Sequence, residues 1–137
     1  MLITGRNPYE GWLGAMKNKN LPESFRYAFS GVVKTAANER SFKIHVCAAI
    51  CALSLSIFLK ISVIEFLCVL ISITLVLSAE LINTAIEAVV DLFAGERFYP
   101  LAKAAKDAAA GAVLITSINA AAVGAGVFLK RLIDYFL

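Results

Sequence analysis

The chain has 137 residues, 60% of them hydrophobic and only 17% charged, and its mean hydropathy is +0.79. Soluble domains carry about a quarter charged residues, so a water-soluble globule of this size would expose large apolar patches, and the solvent read from composition is lipid. Thirteen basic against ten acidic residues leave a net charge of +3, too weak a field for a nucleic-acid partner, and three cysteines set in apolar runs argue against a secreted disulfide scaffold.

The length is that of a single domain, residues 1–137. Residues 1–22 form a variable N-terminal segment with no strong pattern, and the first forty residues are too polar and mixed for a cleavable signal peptide. Over 23–41, Phe25, Phe29, Val32, Val33 and Ala36 recur at helical spacing beside Arg26, Lys34 and Arg40, which predicts an amphipathic helix at the headgroup plane. Residues 42–60 follow as the first membrane-spanning helix, its apolar run Ile44–Leu59 bracketed by Lys43 and Lys60. Cys47 and Cys51, one turn apart with no His/Cys cluster near them, read as buried small residues.

Lys60-Ile61-Ser62 leaves room only for a tight turn, so the next span, 61–94, returns antiparallel to the first. Its apolar part, Ile61–Ala79, is interrupted only by Glu65. The connection from Phe93 to Asp107 contains Gly95, a helix-end signal, and Pro100, a helix-start signal. The third span, 101–130, includes the uncharged stretch Ala108–Leu129, whose Ala108–Gly111, Ala120–Ala122, Gly124 and Gly126 are small enough for close helix packing. Ten Lys and Arg lie in residues 1–43 and 93–107, against Lys60, Lys130 and Arg131 on the opposite side, which places the N-terminus and the second connection in the cytoplasm.

The acids are concentrated: Glu80, Glu87, Asp91, Glu96 and Asp107 are half of the ten. On an unbroken helix, Glu80, Glu87 and Asp91 fall within a wedge of roughly 40°, with Asn83 beside it. A solvated stripe on a helix leaving the membrane would look similar. Against it, Glu80 directly ends an apolar run, where a carboxylate costs up to about 2.5–3.5 kcal/mol near the bilayer centre. The stripe also has no Lys or Arg at i+4 to make it a routine ion-paired face, and its members are the hard oxygen donors that suit Mg²⁺. Glu80 and Glu87 are about 10 Å apart along the axis, too far for one magnesium, so one carboxylate is free for acid–base work and a second metal ligand must come from elsewhere. Glu39, the last acid before the first span, is a candidate. Lys106-Asp107 sit at the mouth of the third span, where a lysine is either a positive-inside flank or a phosphate contact. Neither a Walker A sequence nor GxGxxG is present.

Glu80-Leu-Ile-Asn83-Thr-Ala-Ile-Glu87-Ala-Val-Val-Asp91 and Ala105-Lys106-Asp107-Ala-Ala-Ala-Gly-Ala-Val-Leu114 closely resemble the bacterial integral-membrane lipid kinases, the diacylglycerol and undecaprenol kinases, over about Ser24 to Leu129. The resemblance implies a homotrimer in the bacterial inner membrane, an all-α fold of one surface helix and three spans per subunit, and composite active sites at the cytoplasmic surface that use ATP and Mg²⁺. By motif position, Glu80 resembles the general base that takes the proton of a membrane lipid alcohol, and Glu39 and Glu87 resemble the ligands of the magnesium on ATP. Asn83 and Asp91 would support the site; Glu96, Lys106, Asp107 and Tyr27 match nucleotide-contacting positions.

His45, six residues after Glu39, stands where the diacylglycerol-specific branch has an acid, and Phe42-Lys-Ile-His45 resembles the undecaprenol branch. The expected acceptor is therefore undecaprenol, with His45 and Glu80 as the expected substrate-binding residues; diacylglycerol is the alternative. A small ion-binding or ion-conducting oligomer is the alternative of another class, disfavoured because Phe66–Leu77 offers only scattered Ser, Cys and Thr instead of acids along the span. A non-catalytic adaptor leaves the acidic wedge unexplained.

Overall fold

The structure, a computed structural model, describes residues 20–95 and 97–136. Four helices and no strand are found among them. The chain divides into two compact units, residues 1–34 and 35–137, with the boundary inside the first helix.

Helix α1 (Leu21–Asn38) opens on Asn20, whose Oδ1 accepts the Glu23 N–H at 3.1 Å and satisfies one of the donors orphaned at a helix start. In the first unit, Phe25 and Phe29 are largely exposed, and the Arg26 guanidinium lies 5.3 Å above the Tyr27 ring. One extended residue, Glu39 (φ −89°, ψ 121°), separates α1 from α2 (Arg40–Phe58). The chain then reverses through Leu59–Ser62, with Lys60 at φ +48°.

Ser62 starts α3 (Val63–Ala94) with a reciprocal cap: its Oγ accepts the Glu65 N–H at 3.3 Å, and its own N–H donates to Glu65 Oε2 at 2.7 Å. Glu65 is further held by Arg131 of α4. An acid interrupting an apolar run thus has two structural partners. Gly95, at φ +54° and ψ −129°, ends α3 in a conformation that strains any residue with a Cβ. Helix α4 (Pro100–Phe136) opens on a proline, whose missing N–H is no loss in a first turn.

Helices α2, α3 and α4 are each long and apolar enough to cross a membrane, and the chain is a multi-pass membrane protein. At 1.5 Å per residue, α2 measures about 28 Å, close to the roughly 30 Å of a hydrocarbon core, whereas α3 and α4 measure about 48 and 55 Å and must project beyond it. The two long helices run antiparallel along their length, tied at one end by Glu65–Arg131 and at the other by Asp91–Lys106. Helix α2 lies against α3 and meets α4 only slightly.

The buried stripe of α3 is Val69, Ser72, Val76 and Glu80, at spacings of three and four, with Phe42 and Ala49 of α2 and Ala109 of α4 also buried. Large apolar side chains such as Ile50, Leu67, Ile71, Leu114 and Ile118 point outward, an arrangement that lipid tolerates. Two expectations are corrected here. Cys47 and Cys51 are exposed on the chain, because the buried face of α2 is taken by Phe42, Ala49 and Ser56, seven positions apart, and the cysteines fall off it. The small residues of α4 do not all serve packing within the chain either: a Cβ on Gly111 or Gly126 would meet nothing within 4 Å.

Candidate functional site

Glu80 is the last rung of the α3 stripe and is only 3% exposed. Its Oε2 accepts a hydrogen bond from Ser41 Oγ at 3.2 Å, and His45 Nε2 lies 3.2 Å from its Oε1. Ser41 and His45 are four residues apart, on one face of α2, so a single helical turn presents both donors to the carboxylate. A buried carboxylate without such partners would carry a penalty of several kcal/mol. Two side chains of α2 stand in for the water it has lost.

One helical face changes character at this point. Glu80, Glu87 and Asp91 share a face with Val69 and Val76 at 100° per residue. That face is covered while α2 runs beside it, and α2 begins at Arg40, beside Glu80. Farther along α3, α2 no longer covers it, and Glu87 is half-buried and Asp91 exposed. Asn83 Nδ2 donates to Glu87 Oε1 at 3.2 Å, while Asn83 Oδ1 is buried without a protein partner. Lys106 reaches from α4 to Asp91 at 2.9 Å, and Asp107 is engaged by Lys103 one turn away. The stripe that lacks a cation at i+4 therefore obtains one from the neighbouring helix.

The structure brings the expected residues together in pairs: Glu80 with His45, Asn83 with Glu87, and Asp91 with Lys106. Glu39 sits at the N-terminus of α2 and makes no side-chain hydrogen bond to cap it. It precedes Ser41 by two residues, so its Cα is displaced about 3 Å from the level of Ser41 in the direction of Glu87. Among the described residues, no three His, Cys, Asp or Glu side chains converge as a metal cage; a magnesium carried on nucleotide phosphates needs only one or two carboxylates. The unpartnered Asn83 Oδ1 next to the Glu87 carboxylate is a hard oxygen donor pair of the right chemistry. Tyr27 belongs to the first unit, and Glu96 lies outside the described residues.

Ser41 was missed by sequence reasoning. Its signal was available in the i, i+4 pair Ser41/His45, one helix away from a buried acid, but only the register of α2 on α3 shows what the pair faces. A cavity of about 290 Å³ between α2, α3 and α4 was not legible either. His45, Ser72 and Ser117 are the only polar side chains lining it, the rest being residues such as Ala49, Val76 and Phe128.

This arrangement, a buried base candidate between an apolar cavity and an acidic, lysine-bearing face, invites comparison with membrane enzymes. Residues 26–128 match the prokaryotic diacylglycerol kinase family. The chain belongs to that family. It is thereby a lipid kinase. A diacylglycerol kinase of Synechocystis is 41% identical over 115 residues, covering 84% of this chain and 66% of that protein. The undecaprenol kinase of Bacillus subtilis is 42% identical over 110 residues, 80% of this chain and 89% of the other. The diacylglycerol kinase of Escherichia coli K12 is 34% identical over 94 residues, 69% and 76% respectively. The first two similarities are nearly equal, so they leave the acceptor to be argued from the site.

Proposed function

We propose that the chain transfers the γ-phosphoryl group of ATP to the hydroxyl of undecaprenol, with Glu80 as general base, at the cytoplasmic face of the bacterial inner membrane. The observation that carries this reading is the position of Glu80: a carboxylate 3% exposed, where the buried stripe of a membrane-spanning helix meets its acidic extension. A lipid hydroxyl arrives from the apolar side and a nucleotide from the polar side, and Glu80 stands where the two would meet. In the reaction, the lipid oxygen attacks the γ-phosphorus, the bond from that phosphorus to ADP breaks, and the hydroxyl proton passes to a Glu80 oxygen.

Glu39 and Glu87 would hold Mg²⁺, with Asn83 supporting them through its unpartnered oxygen. The ion, when bound, neutralises charge on the phosphate oxygens. Lys106 is the cation placed to meet a phosphate, poised on Asp91; Asp107, Glu96 and Tyr27 complete the nucleotide set implied by the resemblance. Undecaprenol is preferred to diacylglycerol on account of His45, and the apolar cavity under His45 suits a hydrocarbon chain of either lipid. A homotrimer is the assembly the resemblance implies, and one chain leaves the acidic face beyond α2 uncovered for a neighbouring subunit.

The deciding experiment incubates purified protein in mixed micelles with labelled ATP and Mg²⁺, offering undecaprenol and diacylglycerol separately. Label in undecaprenyl phosphate, lost on chelation of Mg²⁺, is the expected result. Label in neither lipid overturns the proposal, and label in diacylglycerol alone replaces its acceptor.

A further inference from the structure

We propose that His45 and Ser41 are positioning residues that act on the reaction through Glu80: a two-point clamp that aims the base. The inference rests on the reading of Glu80 as the general base. Its grounds are geometric. Glu80 has two carboxylate oxygens, and each faces a different donor of α2: Ser41 Oγ at 3.2 Å from Oε2, and His45 Nε2 at 3.2 Å from Oε1. A glutamate has three side-chain torsions, and in a buried site every lost degree of freedom must be fixed by a neighbour. With one partner on each oxygen, rotation about the last torsion is arrested, and the lone pairs left over point in a set direction.

Among the described residues, no other charged group is hydrogen-bonded or ion-paired to Glu80. On α2, Arg40 and Lys43 flank Ser41, Glu39 precedes the helix, and His45 is the one ionisable nitrogen between Ile44 and Phe58. Antiparallel register places Thr116 and Ser117 of α4 at the level of Glu80, and α4 carries no charge between Asp107 and Lys130. On α3 itself, the next acid is Glu87, whose partner is Asn83. Among the described residues, Ser41 and His45 are therefore the side chains of α2 and α4 that reach the carboxylate.

His45 also bridges two regions. Its side chain is 25% exposed, against 4% for that of Glu80, and it lines the apolar cavity between the three spans. The ring touches the base with one edge while belonging to the wall of the cavity. A residue there that served only to bind lipid would govern KM for the lipid. A residue that aims Glu80 governs kcat.

The test measures both parameters for His45→Gln, His45→Asn, His45→Ala and Ser41→Ala, each alone and combined with Glu80→Gln, in detergent-purified full chain. Glutamine's amide nitrogen reaches about as far from the backbone as Nε2, whereas asparagine's reaches only as far as Nδ1, so Gln can restore a polar contact with Glu80 Oε1 and Asn cannot. Loss of a polar partner of a charged group corresponds to roughly 10- to 100-fold in rate. His45→Ala and His45→Asn should lower kcat by about that factor, with KM for ATP and for the lipid within twofold or so, and His45→Gln should recover most of it. Ser41→Ala should lower kcat as well. In the Glu80→Gln background, none of these changes should lower the residual rate further, because the group they aim is gone.

The proposal is overturned if His45→Ala changes KM for the lipid and leaves kcat alone, if Gln and Asn behave alike, or if the effects of His45→Ala and Glu80→Gln simply multiply. A Glu80→Gln enzyme with near-normal activity is a different outcome: it sinks the base assignment itself, and the clamp with it.

Discussion

Replacing Glu80 by glutamine is the perturbation that isolates chemistry from architecture. The amide has the shape of the carboxylate: its oxygen can accept from His45 Nε2, and its nitrogen can donate to Ser41 Oγ, whose hydroxyl rotates to suit. Both contacts with α2 survive, and a group 3% exposed no longer carries a charge, so the folded state should be as stable as before or slightly more so. What is lost is the capacity to take a proton. General-base catalysis is worth typically 10²–10⁴-fold, or about 2.7–5.4 kcal/mol of barrier at 1.36 kcal/mol per decade. Glu87, seven residues along the same helix, is about 10 Å away, so Mg²⁺–ATP affinity should stay within about twofold. The assay is lipid phosphorylation from labelled ATP in mixed micelles, with calorimetric Mg²⁺–ATP titration on the same preparation. Glu80→Ala is the contrast, since it leaves Ser41 Oγ and His45 Nε2 facing nothing and should destabilise as well as inactivate. Glu80→Gln that retains a tenth or more of the activity, or that loses nucleotide binding together with activity, refutes the division of roles along α3.

Glu39→Gln and Glu87→Gln should each weaken Mg²⁺–ATP binding by at least about tenfold without changing the thermal midpoint in detergent; unchanged affinity in both, measured by calorimetry, would remove them from the metal site. Undecaprenol should be phosphorylated with a higher kcat/KM than diacylglycerol in the same micelles, and equal or reversed values would return the acceptor to diacylglycerol. Asp91→Asn releases Lys106 from its partner, so it should leave ATP affinity unchanged or tighter, whereas Lys106→Gln should weaken it; weakening by both would mean that the pair acts as a structural unit. Ser62→Ala removes the acceptor for the Glu65 N–H at the start of α3 and should cost about 1 kcal/mol of stability, read as a lower unfolding midpoint with activity intact.

The membrane class, the three spans, the hairpin at Lys60–Ser62 and the breaks at Gly95 and Pro100 follow from one-dimensional information. Apolar run length, charge flanks and residues with restricted φ act locally, and lipid as solvent removes the ambiguity between a core helix and a span. The candidate acids are legible for the same reason, because a carboxylate ending the uncharged run Phe66–Ala79 is anomalous wherever the neighbouring helices lie. The division of labour along the acidic stripe is a different matter. Periodicity puts Glu80, Glu87 and Asp91 on one face and treats them alike, yet Glu80 is buried, Glu87 half-buried and Asp91 exposed. That gradient exists because α2 is shorter than α3 and stops beside Glu80, a fact of relative length and register between two helices and of neither one alone. The register of α2 on α3 sets Ser41 and His45 on the Glu80 carboxylate, and that of α4 on α3 supplies Asp91 with Lys106 from fifteen residues away and Glu65 with Arg131. Helix propensity and hydropathy are sums over neighbours in the chain, whereas the partners of a buried charge are chosen by which turn of one helix lies across from which turn of another.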